Sequence, residues 1–373
     1  MRKLFFALAV IAIVIMSCEP SANDITPEQA AIEVDMSDFY LFTNDDNLAA
    51  KGTANASVEK CFTMKMLNIK LAENPGLYQK MYEIEKHTRE FIGARKPDGT
   101  PGGGNGGGGS GDGGGGGTGD DITPYGDIAG NTIPVVFHII YSSESENISL
   151  DRLNEQIVAL NQDFNSNNPG SSLIPGDFKG LEADLGVNFV IAGVIRKQNK
   201  KKKSWRPDDS MKFSSSGGSD AVDPEHYLNV WVVNNMPYQG GNILGYAQFP
   251  GDDWATDGIV LDRRFVGINA TYGSTGRTAT HEIGHWMNLR HIWGDGGCSQ
   301  DDFVLDTPES DRYNTGCPNY PDVVHCTTPD MFMNFMDYTS DTCMKLFTNG
   351  QEARMAAQFV DGGFRELMGI TIN

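Results

Sequence analysis

The feature that most constrains this fold is a glycine tract, residues 99–121, interrupted mainly by small or polar residues. Such a tract has almost no side chains to bury and loses much conformational entropy on ordering, so it cannot join a packed core. It predicts a flexible tether that proteases reach easily. The chain therefore divides into a first block, residues 18–98, and a second block, residues 122–373, which one cut would separate.

The chain begins with a targeting segment, residues 1–17. Arg2 and Lys3 precede an apolar stretch, residues 4–16, that is too short to span a bilayer and indicates a signal peptide. It ends in Ile-Met-Ser-Cys, which resembles the lipobox of bacterial lipoproteins, where the cysteine, here Cys18, is lipidated. The alternative is an ordinary cleaved signal peptide with an incidental cysteine. Either way we expect export, with the protein lipid-anchored to the bacterial cell envelope or secreted after the first block is removed.

The net charge limits the possible partners. The chain has 49 acidic and 29 basic residues, which give a formal charge of −20 at pH 7. Phosphate binding needs a basic surface, so nucleic acid is excluded as a partner. An acidic exported protein is expected to stay soluble, to bind calcium or to meet basic peptides.

Hydrophobic spacing predicts a single α/β domain in the second block. Residues 133–140 form a run rich in valine and isoleucine, as in a strand buried on both faces, and residues 150–164 have helical spacing. Further strands are predicted at residues 187–195, 228–233, 244–249 and 258–261, and further helices at 277–289 and from residue 349. In the first block, one amphipathic helix is predicted over residues 77–91.

The segment His-Glu-Ile-Gly-His-Trp-Met-Asn-Leu-Arg-His, residues 281–291, carries the chemistry. Positions four apart share a helix face, so His281 and His285 can bind one zinc ion from the same side. Glu282 cannot reach that metal, but it lies beside the open coordination position, where it can act as general base. Asn288 tolerates the left-handed conformation of a sharp turn, which would bring His291 round as third ligand.

The five-residue core of this pattern recurs by chance and is only a lead on its own. The third histidine at the right distance strengthens it considerably. The alternative is a helix whose histidines lie on a solvated face.

The same segment resembles the extended zinc motif of the metzincin metalloproteases, and specifically of the pappalysin family, although Asn288 stands where metzincins usually have glycine. A second metzincin signature is a tight turn with a methionine beneath the zinc site, and Asn-Phe-Met-Asp-Tyr, residues 334–338, resembles it. The resemblance implies that Met336 is the base of the metal site and that Tyr338 helps to stabilise the tetrahedral intermediate.

The likeness covers most of residues 133–360, including IPVVFHII, YLNVWVV and GRTATHEIGHW. It implies an α/β (α+β) metzincin-like domain in which an N-terminal subdomain of twisted sheet and helices and an irregular C-terminal subdomain flank a cleft. Zn²⁺ is the implied cofactor. The implied partners are protein or peptide substrates in extended conformation, paired with an edge strand near residues 244–249. Specificity is expected to depend on residues 339–342, where Asp341 would favour a basic side chain.

Four cysteines lie close together after the zinc motif, and in an oxidising compartment they should form two disulfides. Sequence alone allows three connectivities. The family resemblance implies that Cys298 pairs with Cys326 and Cys317 with Cys343.

An acidic segment between these cysteines is a candidate calcium site. Asp301, Asp302, Asp306 and Thr307 resemble a stretch that binds calcium in relatives, and oxygen-rich loops suit this ion. Acidic loops are also common without a metal.

Cys61 is the cysteine that these assignments leave over. The surrounding residues resemble pappalysin-type propeptides, in which a cysteine thiolate takes the fourth zinc position and keeps the precursor inactive. The resemblance implies a small, mostly helical propeptide, although Phe62 stands where glycine is expected. The alternatives are an intermolecular disulfide or an inert thiol.

The sequence therefore favours a zinc endopeptidase synthesised as a latent zymogen, which hydrolyses proteins or peptides with metal-activated water. One alternative is a catalytically silent zinc module that binds a partner. A structural zinc would not require Glu282 and Tyr338 and would usually be closed by a fourth protein ligand. Another is a non-metal adhesin in which the motif is accidental.

Overall fold

A computed structural model describes residues 33–41, 58–94 and 130–368. The expected signal peptide, Cys18 and the glycine tract lie outside these ranges. Within them, no helix is both long and apolar enough to cross a membrane.

The described strands form a mixed, mostly parallel sheet. In chain order these are β1 (Val58–Cys61), β2 (Thr132–Tyr141), β3 (Asn188–Gln198), β4 (Leu228–Val233), β5 (Pro237–Tyr238), β6 (Gly241–Ala247) and β7 (Ile259–Asp262). Their order in the sheet is β1-β6-β7-β4-β2-β3, and β5 pairs with β6. β6 pairs antiparallel with β5 and β7 and parallel with β1, so β1 and β6 run opposite to the parallel strands β7, β4, β2 and β3. A separate two-stranded ladder joins β8 (Ile268–Asn269) to β9 (Ser274–Thr275).

Five α-helices pack on or beside this sheet in the described part of the chain. They are α1 (Thr63–Glu73), α2 (Leu77–Ala94), α3 (Leu150–Phe164), α4 (Arg277–Trp286) and α5 (Asn349–Ala356). The Ser149 hydroxyl caps α3 by accepting from the amide of Arg152. Thr348 and Gln351 form a capping box at the start of α5.

The prediction of an α/β domain is confirmed, and the principal elements begin or end within a few residues of their predicted bounds. Two corrections concern the site. The helix predicted to reach residue 289 ends at Trp286, because the backbone turns left-handed at Asn288, with φ of 75°. The strand predicted at residues 244–249 is Gly241–Ala247, because Gly241 and Asn242 pair with β5 instead of forming a loop.

The chain between α4 and α5 is irregular, as expected, and its described residues contain no α-helix or strand beyond isolated bridges. A buried ion pair connects the segment that follows α5 to the end of α4. Arg365 donates to both carboxylate oxygens of Asp257, at 2.7 and 2.9 Å, and to the carbonyl of Trp286. The indole of Trp286 also donates to Asp257, so a single buried carboxylate fixes the end of α4.

Candidate metal centre and active site

The helix α4 packs against β6 and β7 and carries two histidines one turn apart. It begins after Gly276, whose φ of 93° few other residues adopt, and all its residues are buried. At Gly284, between His281 and His285, a β-carbon would collide with the sulfur of Met336. The close approach of helix and methionine therefore requires glycine at this position.

The turn after α4 brings in the third histidine. Asn288 has φ of 75°, which confirms the left-handed conformation expected from the sequence. The amide of Leu289 donates to the carbonyl of Gly284 at 2.9 Å, which closes the turn, and the carbonyl of Leu289 lies 2.8 Å from Nδ1 of His285. The turn that redirects the chain toward His291 therefore also orients His285.

Four ligand atoms converge at this point. One atom from each of Cys61, His281, His285 and His291 lies within 4.8 Å of the others, and all four residues are buried. Nε2 of His285 and Nε2 of His291 are 3.1 Å apart, and Nε2 of His281 has no hydrogen-bond partner among the described residues. Burying such nitrogens is costly unless something binds them.

Hydrogen bonds behind the rings fix which nitrogens face inward. Nδ1 of His281 lies 2.7 Å from the carbonyl of Phe335, and Nδ1 of His285 is bonded to a carbonyl as well. A carbonyl only accepts, so each Nδ1 carries the proton and each Nε2 presents a lone pair. Nδ1 of His291 lies 2.5 Å from the carboxylate of Asp295.

Burial favours the neutral form of two of these imidazoles. Burial, reinforced by the neighbouring His291, lowers the pKa of His281 and His285 well below the usual value. Neutral nitrogen donors backed by carbonyl and carboxylate acceptors are the donor set that zinc prefers. The residues present therefore fit a zinc ion.

Glu282 lies on the other side of the ligand cluster, where first-block residues cover it. The hydroxyl of Thr63 donates to Oε2 of Glu282 at 2.8 Å, and Sγ of Cys61 is 3.4 Å from the same oxygen. Burial raises the pKa of Glu282 to about 8, although both hydrogen bonds oppose the rise. Oε1 of Glu282 is buried without a hydrogen-bond partner among the described residues. The carboxyl group is thus placed beside the cluster and held there.

The methionine turn, residues 334–338, packs against α4, where the sulfur of Met336 faces Gly284. Met336 is fully buried, and its amide donates to the side chain of Asn334 at 2.9 Å. The ring of Tyr338 lies 5.0 Å from that of His291, and its hydroxyl donates to the carbonyl of Cys61 at 3.5 Å. Both residues therefore adjoin the histidine cluster.

Four contributors were not found by sequence reasoning. Trp293 stacks on His291 with ring centroids 4.2 Å apart, and Asp295 bonds the same ring. Lys60 and Thr63 reach the site from the first block. Trp293 and Asp295 follow the third histidine by two and four residues, which was a usable signal, whereas Lys60 and Thr63 depend on contacts distant in sequence.

The cysteine-rich loop is joined by two disulfides, Cys298–Cys326 and Cys317–Cys343, and this is the pairing that the resemblance implied. Cys61 is unpaired and buried.

The candidate calcium residues bond mostly within their own loop. Asp302 accepts from the hydroxyl of Thr307 and the amide of Val304, and Asp306 accepts from Thr348 at the start of α5. Asp301 accepts from a backbone amide two residues on. Across the described ranges, Cys61, His281, His285 and His291 form the only group of three or more histidine, cysteine, aspartate or glutamate side chains that lie close enough together to share a metal ion. These contacts give no indication of calcium.

Comparison with known proteins agrees with this geometry. A family model described as pregnancy-associated plasma protein-A, the M43 peptidases, matches residues 214–360. An extracellular metalloprotease of Arthroderma benhamiae is 32% identical over 237 residues, which are 61% of this chain and 71% of that protein. This chain belongs to the pappalysin family. Extracellular metalloprotease 1 of Coccidioides posadasii is 34% identical over 241 residues, which are 61% of this chain and 76% of that protein.

Solved structures extend the likeness of this pappalysin into the first block. Mature mirolysin of Tannerella forsythia in complex with a cleaved peptide is 40% identical, with a TM-score of 0.61, and covers 64% of this chain and 96% of that one. A promirolysin variant from the same organism is 33% identical, with a TM-score of 0.67. The match covers 83% of this chain and 97% of the promirolysin chain. The fold is thus that of a metzincin, and the protein is an exported zinc metalloendopeptidase synthesised as a zymogen.

The turn at Asn288 gives a direct test of how the zinc ligands are positioned. We expect Asn288→Gly to bind one zinc per chain with unchanged affinity, because glycine adopts positive φ freely. Asn288→Val should bind zinc at least tenfold more weakly, because a β-branched residue strongly disfavours this conformation and its strain displaces His291. Zinc affinity is measured by competition with a chromophoric chelator. Equal affinities for the valine and glycine variants would contradict this account of the turn.

Proposed function

We propose that His281, His285 and His291 hold the zinc ion and that Glu282 is the general base of the endopeptidase. The observation that carries this assignment is the convergence of three buried imidazole nitrogens with a buried carboxyl group beside them. When bound, zinc supplies a Lewis acid that lowers the pKa of water and polarises a peptide carbonyl.

The chain's own residues would then perform three tasks. Glu282 takes the proton from the attacking water and passes it to the leaving amine. The hydroxyl of Tyr338, which bonds a backbone carbonyl in the precursor, donates instead to the oxygen that gains charge as the peptide carbonyl becomes tetrahedral. Met336 closes the floor beneath the helix and excludes water there.

Substrate binding is proposed at the free side of β6. In the precursor this edge is occupied by β1, with Val58 opposite Asn242 and Cys61 opposite Gly245. A substrate in extended conformation would add to the same edge through main-chain hydrogen bonds once β1 has left.

Latency is proposed to depend on Cys61, whose thiolate would be the fourth zinc ligand in the precursor. Phe62, in place of the expected glycine, is accommodated. It is buried against Tyr238, with ring centroids 4.6 Å apart, and its amide donates to Gly245. Thr63 adds a second restraint, because it donates to Glu282 while accepting from the amide of Ala247 at 2.8 Å.

The substrate side chain just after the scissile bond is proposed to be basic. Lys60 reaches into a pocket that is shared with His281 and Glu282 and also lined by Asp337 and Asp341. Burial lowers the pKa of Lys60, and the two carboxylates oppose that effect. The precursor therefore places a cationic side chain one residue before the cysteine, in a pocket with acidic walls.

The remaining assignments concern the whole precursor. We propose residues 1–17 as signal peptide, Cys18 as lipid attachment site, residues 18–98 as propeptide, residues 99–121 as linker and residues 122–373 as catalytic domain. Cutting the linker would release the catalytic domain from both the propeptide and any lipid anchor, because both precede it. Before that cut, the envelope membrane would be a partner through the lipid.

The central experiment compares purified zinc-loaded precursors on an unstructured protein such as casein. We expect the wild type to cut itself near the linker and then to degrade casein, whereas Glu282→Ala and chelated wild type do neither. Cys61→Ser should shorten the lag before self-cleavage, because serine is a poorer zinc ligand than a thiolate. Both events are followed on one gel. An active Glu282→Ala enzyme would overturn the assigned base. A zinc-loaded mature wild type that cleaves nothing would favour the silent zinc module.

The proposed pocket is tested with peptides that differ only in the residue after the scissile bond. We expect kcat/KM to be at least tenfold higher with lysine or arginine than with leucine. Asp341→Asn should remove most of this preference for lysine or arginine over leucine, because it removes a negative charge from the pocket. Its amide oxygen can still accept from the amides of Thr275 and Arg277, the local contacts that Asp341 now makes. A ratio that survives in this variant would assign the preference to another group.

A further inference from the structure

Two buried arginines of the catalytic domain flank one aromatic ring beside the metal helix. The guanidinium of Arg290, in the turn before the third histidine, lies 4.3 Å from the ring centroid of Phe303. That of Arg354, on α5, lies 5.7 Å from the same centroid. The two side chains come from segments far apart in sequence, yet both are at most 5% exposed. We call these three residues the arginine cluster.

The propeptide supplies the carboxylate that this cluster binds. Glu85, on α2, accepts from Arg354 at 3.1 Å through one oxygen and at 2.6 Å through the other. Burial disfavours the charged form, but Arg354 and the propeptide's own Arg89 outweigh it, and the pKa of Glu85 is lowered. A bidentate, fully buried pair of this kind is the strongest way for a protein to hold a carboxylate.

The propeptide also covers Arg290. The carbonyl of Tyr40 accepts from the guanidinium of Arg290, and the Tyr40 ring lies 4.4 Å from it. Even so, Nη1 of Arg290 and Nε of Arg354 are buried without a hydrogen-bond partner among the described residues. The arginine cluster therefore still has N–H groups without an acceptor among the described residues while the propeptide is in place.

One cut in the glycine tract removes all of these covering groups. Tyr40 and Glu85 both precede the linker, whereas all three residues of the cluster follow it. The mature enzyme thus exposes two neighbouring cations that have lost their carboxylate. Asp295 is the acid of the catalytic domain that interacts with Arg290; its Oδ1 is engaged by His291, and its Oδ2 makes no hydrogen bond to Arg290.

The cluster adjoins the cleft on the side away from the Lys60 pocket. Arg290 and Arg354 line one cavity together with Asn288 and Phe249, and the ring of Phe249 lies 5.4 Å from that of His285. Strands pair somewhat more stably in antiparallel than in parallel orientation. In a substrate running antiparallel to β6, residues that precede the scissile bond would approach Phe249.

We propose that the arginine cluster is a subsite of the mature enzyme for an acidic side chain on the N-terminal side of the scissile bond, and that Glu85 occupies it in the precursor. The inference rests on the proposed function, because it requires that the propeptide leave the cleft. The ligand class is a peptide carboxylate, held by two guanidinium groups over an aromatic face.

The test uses activated wild-type enzyme and a peptide cut from casein by that enzyme. Glutamate, glutamine or lysine is placed in turn at each of the second to sixth positions before the scissile bond, and kcat/KM is measured. We expect glutamate to exceed glutamine about tenfold at one or two neighbouring positions and lysine to be worse than glutamine. This advantage should shrink in high salt, because the subsite opens to solvent.

Two precursor variants separate recognition from folding. Glu85→Gln combined with Arg354→Gln leaves no buried unpaired charge at this contact, so the fold should survive, and the mature enzyme should show a glutamate-to-glutamine ratio near one. Glu85→Gln alone breaks the same pair but yields a mature enzyme identical to the wild type, so its ratio should stay near ten. Near-ultraviolet circular dichroism of both precursors checks folding.

The outcomes distinguish this inference from the proposed function. If none of the glutamate, glutamine and lysine peptides is cleaved, the proposed function itself fails. If it is cleaved and glutamate gives no advantage at any position, the subsite is refuted while the endopeptidase stands. A tenfold preference that persists after Arg354→Gln would likewise overturn the assignment to this cluster.

Discussion

The inward orientation of three imidazoles is the constraint on which the rest of the site depends. Each ring is held from behind, and the holding groups come from different parts of the chain. His281 bonds the carbonyl of Phe335 in the methionine turn, and His285 bonds the carbonyl of Leu289 in the turn that ends the helix. His291 is backed by a carboxylate, which orients its ring and strengthens its lone pair. Three imidazole nitrogens that bind as neutral ligands would leave the charge of a zinc ion undiminished.

The precursor closes this site with one short segment of the propeptide. Strand β1 takes the free edge of β6, and the residues at and just after its end make three separate contacts. Lys60 enters the acidic pocket, Cys61 joins the histidine cluster, and Thr63 bonds the carboxylate of Glu282. These contacts involve the substrate edge, the metal and the base, so we expect the loss of any one of them to weaken latency without abolishing it. Glu85 and Tyr40 extend the same cover over the arginine cluster.

The sequence predicted the catalytic part of this arrangement because its signals are local. His281 and His285 are one helical turn apart, and Asn288 marks the turn to His291. The roles of Met336 and Tyr338 followed only from the family resemblance, since a buried methionine has no local signature of its own.

What the sequence missed depends on contacts between distant segments. Strand β1 is four residues long and forms because β6 offers an open edge. The hydrogen bond from Thr63 to Glu282 joins residues 219 positions apart, so no spacing rule detects it. The acidic loop shows the opposite difficulty. Composition does not tell whether carboxylates such as those of Asp302 and Asp306, which accept hydrogen bonds from Thr307 and from the amide of Gly350, also bind calcium.

The central claim is that the precursor's metal centre is closed by the thiolate of Cys61, and X-ray absorption at the zinc edge tests it most directly. The spectrum of the zinc-loaded, uncleaved precursor should require three nitrogen ligands at about 2.0–2.1 Å and one sulfur at about 2.3 Å. The sulfur contribution should be absent from Cys61→Ser and from the mature enzyme. An intact precursor whose spectrum needs only nitrogen and oxygen ligands would contradict the account.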